Sequence, residues 1–125
     1  MKKVGTVCFI VENSQVLLAL IEYSPGDRKW NGIGGFVEEN ELPEEAVVRE
    51  IREETFIEVN KKDLIRVKEL DLDIHLVVFK ANKWSGELKI KDESLKELKW
   101  FKFDEIPYNQ MHENNDKWVP EILNL

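Results

Sequence analysis

Arg49-Glu50-Ile51-Arg52-Glu53-Glu54 sets Glu50, Glu53 and Glu54 at i, i+3 and i+4, a spacing that gathers three carboxylates on one side of a helix. That arrangement is unfavourable by itself. The dipole disfavours negative charge in a helix's last turn by about 0.3–1 kcal/mol, and the like-charged Glu50–Glu54 pair adds about 0.2–0.5 kcal/mol. A run that breaks local rules without visible compensation marks a candidate functional site, and the simplest compensation is a divalent cation. Carboxylates are poor ligands for soft metals but suit Mg²⁺ or Mn²⁺, with positions left for water and phosphate oxygens. Such an ion neutralises phosphate charge and lowers the pKa of water. Gly32, Gly34 and Gly35 lie just upstream, and a glycine turn can bring a backbone carbonyl to the same ion where a side chain would obstruct it. The chemistry these residues point to is metal-assisted phosphoryl hydrolysis. The alternative is a solvated acidic helix face.

The helix that must carry the glutamates should run from Pro43 to Thr55. Proline suits the first helical position, Glu44 and Glu45 favour the first turn, and Ala46, Val47 and Ile51 supply the apolar side. Val4–Val11 and Gln15–Ile21 are β-rich runs around the turn residues Glu12-Asn13-Ser14, and predict a hairpin. Tyr23–Lys29 reads as a loop and Trp30–Val37 as extended chain. Asp63–Leu70, Asp71–Ala81 and Leu98–Phe103 read as strands, with a turn at Trp84-Ser85-Gly86. Trp118–Leu125 reads as a final helix with Pro120 near its start and Asp116 as its cap. Strands, a central helix, more strands and a last helix imply an α/β fold, an α/β/α sandwich around a central mixed β-sheet.

A chain of 125 residues fits a single domain, 1–125. The net charge of −7 argues against a groove that tracks a nucleic-acid polymer, but allows a small phosphorylated ligand that arrives with Mg²⁺. Cys8 is the single cysteine, in an apolar run, so it is read as a buried structural thiol and the chain as cytoplasmic. Lys2 and Lys3 before Val4–Val11 faintly suggest a signal peptide, but the run is short and reads as the first strand. No apolar stretch approaches the roughly 20 residues of a membrane span, so no membrane partner is expected.

Gly35, five residues, Glu41, seven residues, then Arg49-Glu50-Ile51-Arg52-Glu53-Glu54 followed by Thr55-Phe56-Ile57 resembles the signature of the Nudix hydrolases. Six residue types at fixed offsets would coincide at a given register on the order of once in a million, which sets this run apart from an ordinary acidic face. The resemblance implies that Glu50, Glu53, Glu54 and the Gly34 carbonyl hold Mg²⁺ or Mn²⁺. It also implies that Arg49 orients the glutamates and that Glu41 supports them from the turn. Glu53 is the expected base for the attacking water, with Asp92 or Glu93 as loop candidates. Phe56 stands where the family usually has glycine, just past the helix, and puts the helix exit in question.

Across nearly the whole chain the sequence is most similar to the MutT-type branch that converts oxidised purine nucleoside triphosphates, such as 8-oxo-dGTP, to monophosphate and pyrophosphate. By that resemblance Thr6 and Asn31 contact the base, and Leu72, His112, Asn114 and Asn115 join them on the substrate side. Asn114 and Asn115 replace a pair of aspartates and His112 a stacking tryptophan, so the base preference is expected to differ; an amide both donates and accepts at fixed charge. His75 is read as a satisfied structural residue, and Trp84, Trp100 and Trp118 as packing. Two other readings are a Nudix diphosphatase acting on ADP-ribose or dinucleoside polyphosphates, and a non-catalytic nucleotide-binding module.

Overall fold

The computed structural model describes residues 2–124. Strands β1 (Val4–Glu12) and β2 (Gln15–Ser24) form the expected hairpin, closed by Asn13 and Ser14 at positive φ, the backbone that matches the twist of paired strands. β2 runs to Ser24 and folds back as β3 (Asp27–Asn31), so most of the stretch read as a loop is a second hairpin turning at Pro25 and Gly26. Beyond Asn31 the chain stays extended beside β1 through single bridges at Ile33 and Phe36.

Helix α1 (Pro43–Glu54) starts where proline predicts, with the Glu45 carboxylate accepting the Leu42 N–H at 2.8 Å. The short pair β4 (Ile57–Glu58) and β7 (Ser85–Gly86) lies outside the main sheet. β5 (Ile65–Asp71) and β6 (His75–Ala81) form a hairpin, and β8 (Leu95–Lys102) begins three residues before the expected start. The order is β3-β2-β1-β6-β5, with β8 on β2. The β1–β6 pair is parallel and the others antiparallel, which makes the sheet mixed.

Both sheet faces are covered, which explains why β1 is almost continuously apolar instead of alternating. Cys8 and Ile10 pack with Val47 and Ile51 of α1, while Val7 and Phe9 pack with Val119 and Ile122 of α2 (Asn115–Ile122). Trp100 joins the first layer and Phe101 the second, so neighbouring aromatics of β8 are both turned into a core. Burial pushes the Cys8 thiol up to about 12, in keeping with a structural residue.

The last helix departs from its expected bounds. It begins at Asn115 because Asn114, at φ 73, takes the left-handed conformation that asparagine tolerates and turns the chain into the helix early. Asp116 is therefore in the first turn instead of capping it, and Pro120 is inside the helix. The expected end, Leu125, lies outside the described residues. No helix among them is long and apolar enough to cross a membrane.

Candidate active site

Two close approaches fix the glycine turn. A Cβ on Gly34 would lie 2.0 Å from the Thr6 carbonyl oxygen, and one on Gly35 would lie 2.4 Å from the Glu50 carboxyl carbon. Glycine alone lets the segment rest on β1 and the Glu50 carboxylate rest on the segment. Thr6 locks this contact from beneath. Its N–H donates to the Gly35 carbonyl at 2.8 Å, its hydroxyl donates to the same oxygen at 2.9 Å, and Gly35 N–H donates back to the hydroxyl at 3.3 Å. The Gly35 carbonyl is thus engaged, while the Gly34 carbonyl accepts no hydrogen bond among the described residues.

Arg49 organises the helix side. It grips Glu41 with Nε and Nη2 at 2.8 and 3.0 Å, the Phe36 carbonyl at 3.1 Å, Glu50 at 2.7 Å and Glu53 at 3.1 Å. The bidentate hydrogen bond from Arg49 holds the Glu41 carboxyl below its usual range. Glu53 remains at the surface, with a side chain 58% exposed. Glu54 is the opposite case: it is 6% exposed, and its Oε2 has no hydrogen-bond partner. Burial, then the adjacent Glu50 carboxylate, push its pKa up to about 9.

The helix exit is normal despite Phe56. Thr55 is extended and its hydroxyl donates to the Ile51 carbonyl at 2.6 Å and accepts Ile57 N–H at 3.1 Å. Lys91 engages two more of the last-turn carbonyls, its N–H donating to Glu54 at 2.9 Å and its Nζ to Arg52 at 3.2 Å. With these caps no left-handed residue is required, and Phe56 instead seats Lys91 over its ring at 4.7 Å.

One cavity of about 720 Å³ joins these parts, within the range of small-ligand sites. Its acidic lining is Glu50, Glu54, Asp92 and Glu113. Its neutral polar lining includes Thr6, Asn31, Asn114, Asn115 and His112, and Leu72, Ile74 and Phe36 are among its apolar residues. Gly34 lies in it as well, so most residues singled out from the sequence share one cavity. Arg49 and Glu53 do not line it, and neither does Glu93. Asp92 does, with Oδ1 accepting both the N–H and the hydroxyl of Ser94 at 2.8 and 2.7 Å. Trp118 packs edge-on against Phe9 at 5.9 Å and also lines the cavity. His75 is satisfied by Glu69 at 2.8 Å, the structural role expected of it.

Tyr23 was not singled out from the sequence. It lines the cavity, meets His112 edge-on at 4.9 Å and accepts the Asn31 Nδ2–H at 3.3 Å. Period-two alternation continued from Ala19 through Ile21 would have reached it, but the Pro-Gly signal ended the strand reading too early. Burial lowers the His112 pKa, so its ring is neutral near pH 7.

A divalent cation fits this donor set. The unpartnered Glu54 oxygen, a second carboxylate beside it and a free glycine carbonyl are all hard oxygen donors. Among the described residues no lysine or arginine lines the cavity, so an anionic ligand has nothing else there to offset its charge. Among the described residues no three acidic or imidazole groups are gathered at one point, and Arg49 pairs with Glu53 at 3.1 Å; Glu53 would have to leave that pair to join the ion.

The chain matches the NUDIX domain over residues 1–122. It is 34% identical over 129 residues to an oxidized purine nucleoside triphosphate hydrolase of Danio rerio, covering 97% of this chain and 80% of the relative. It is 28% identical to the Mus musculus protein of the same name, covering 94% and 78%. Among solved structures, a MutT NUDIX hydrolase from Burkholderia pseudomallei superposes with a TM-score of 0.79 at 28% identity, covering 99% of this chain and 97% of the other.

Proposed function

The chain belongs to the NUDIX family of hydrolases, and we propose that this enzyme hydrolyses oxidised purine nucleoside triphosphates such as 8-oxo-dGTP to the monophosphate and pyrophosphate. The observation that carries the reading is the cavity itself: oxygen-only carboxylates and neutral amides in one enclosure, with no lysine or arginine lining it among the described residues. The names of the Danio rerio and Mus musculus relatives support the substrate class. We further propose that residues 1–125 act as one cytoplasmic domain on small nucleotides rather than on a nucleic-acid polymer, as the net charge of −7 favours.

Glu50, Glu54 and the Gly34 carbonyl would hold Mg²⁺, or Mn²⁺, with Glu53 joining from the rim. When bound, the ion offsets triphosphate charge and makes water a better nucleophile. Arg49 keeps Glu50 and Glu53 oriented through its grip on Glu41. Glu53 takes the proton of the attacking water, and Asp92, already in the cavity, is the next candidate. Asn31, Asn114 and Asn115 read the base edge, and the neutral ring of His112 offers it a face.

The test is a panel of 8-oxo-dGTP, dGTP, 8-oxo-dATP, dATP, ADP-ribose and diadenosine polyphosphates with Mg²⁺, resolved by chromatography. The expected result is a kcat/KM for an oxidised triphosphate well above that for its parent. Preference for ADP-ribose or a dinucleoside polyphosphate would replace this reading with the intact-diphosphate one. Glu53→Gln is expected to lower kcat by about 10²–10⁴-fold, with little change in melting because its exposed pair with Arg49 is worth at most about 0.5 kcal/mol. Near wild-type kcat in that variant would move the base to Asp92.

A further inference from the structure

The hydrogen bonds around Asn31 have only one possible direction. Gly32 N–H faces the Asn31 side chain at 2.8 Å, and a backbone N–H can only donate, so the atom it meets is the amide oxygen. The amino group must then be on the other side, where its nitrogen lies 3.3 Å from the Tyr23 hydroxyl and donates to it. The hydroxyl is the acceptor in that pair. Its own proton remains, and among the described residues it is given to no acceptor. A phenol keeps that proton at neutral pH. Tyr23 and Asn31 both line the cavity.

We propose that Tyr23 is a substrate-binding residue that donates its phenolic proton to a keto oxygen of the purine, as the end of the relay Gly32 N–H to Asn31, Asn31 N–H to Tyr23, Tyr23 O–H to ligand. The inference rests on the purine-nucleotide reading of the cavity. It adds the sign of the recognition. The second Asn31 N–H and the Tyr23 O–H are adjacent donors, and neighbouring bonds in a one-way chain polarise each other. A keto oxygen has two lone pairs and can accept both, whereas a purine ring nitrogen has one and an exocyclic amino group would bring another donor. The pair therefore selects oxo-purines. The edge contact between Tyr23 and His112 holds the ring in place and does not depend on the hydroxyl.

Tyr23→Phe removes the relay's last proton and keeps the ring. Calorimetric titration of wild type and variant with dGMP, 8-oxo-dGMP, dAMP and 8-oxo-dAMP reads recognition without requiring turnover. The variant is expected to bind 8-oxo-dGMP about 5- to 10-fold more weakly, the worth of one hydrogen bond, and dAMP unchanged. Weakening of dGMP locates the accepting oxygen at position 6, and weakening of 8-oxo-dAMP locates it at position 8. Equal loss for all four ligands, no loss for any, or a wild type that binds none would overturn the proposal. Wild type that binds oxo-purines with this Tyr23 dependence yet hydrolyses no triphosphate would overturn the proposed reaction and leave the Tyr23 assignment standing.

Discussion

Glu54→Gln is expected to do two opposite things: lower kcat by about 10²-fold or more, and raise the melting temperature of the metal-free protein in alkaline buffer. The first follows because losing a carboxylate from the proposed cation set would remove several kcal/mol of transition-state stabilisation, at about 1.4 kcal/mol per tenfold. The second follows from linkage. The folded-state pKa of Glu54 is raised from 4.5 to about 9, so its contribution to stability is fully present below 4.5 and is lost as pH rises through 9. Between pH 7 and 9 the unfolded chain has already ionised this carboxyl while the folded one resists, at a cost of up to about 3 kcal/mol. His112 works in the opposite direction, but below its unfolded value of 6.5; Cys8 adds to the loss, but above 9.0. That window isolates Glu54. In EDTA, wild type should melt lower at pH 9 than at pH 7 by on the order of 5 °C or more, and the glutamine variant should show no such slope. A wild-type melt independent of pH across the window would mean that Glu54 is not the strained group described here.

Gly34→Ala carries the largest expected structural effect. The new Cβ would meet the Thr6 carbonyl oxygen at 2.0 Å, its carbon at 2.6 Å and the Val7 Cα at 2.8 Å, all backbone of β1 and unable to move aside cheaply. The glycine segment would have to leave the strand and give up Thr6 N–H to Gly35, Cys8 N–H to Ile33 and Ile33 N–H to Cys8. Three such bonds are worth about 3 kcal/mol in total, roughly 10 °C or more for a chain of this size. Gly26→Ala is the contrast. It meets nothing within 4 Å, and its cost is that of a left-handed alanine at φ +81, about 1–2 kcal/mol. Equal melting of the two variants would contradict the close approach of Gly34 to β1.

Helix α1 was legible in the sequence because its signals are local. Pro43 fixes the start, the apolar spacing fixes the buried face, and the misplaced glutamates mark the site. The NUDIX match over residues 1–122 bears out the resemblance drawn from that motif. Features set by tertiary contact were not legible. Thr55 and Lys91 end the helix without a glycine, so the concern raised by Phe56 disappears only when the 87–94 loop is placed against the helix. Lys91 is remote in sequence from Arg52. Asp92 and Glu93 look equivalent in the chain, and only the loop's path turns Asp92 into the cavity. Asn114 could not be read as the start of α2, because an asparagine at positive φ has no periodic signature. Tyr23 was hidden by a turn signal that falls two residues later than the strand reading allowed.

On the proposed function, a divalent cation on the Glu50–Glu54 cluster drives cleavage of a purine nucleoside triphosphate held in the adjoining cavity. The most direct measurement is the product mixture from 8-oxo-dGTP incubated with the protein in Mg²⁺ and, in parallel, in EDTA. The expected result is 8-oxo-dGMP and pyrophosphate in equal amounts with Mg²⁺ and no turnover in EDTA. Release of inorganic phosphate and the diphosphate, or the same turnover with and without the metal, would contradict it.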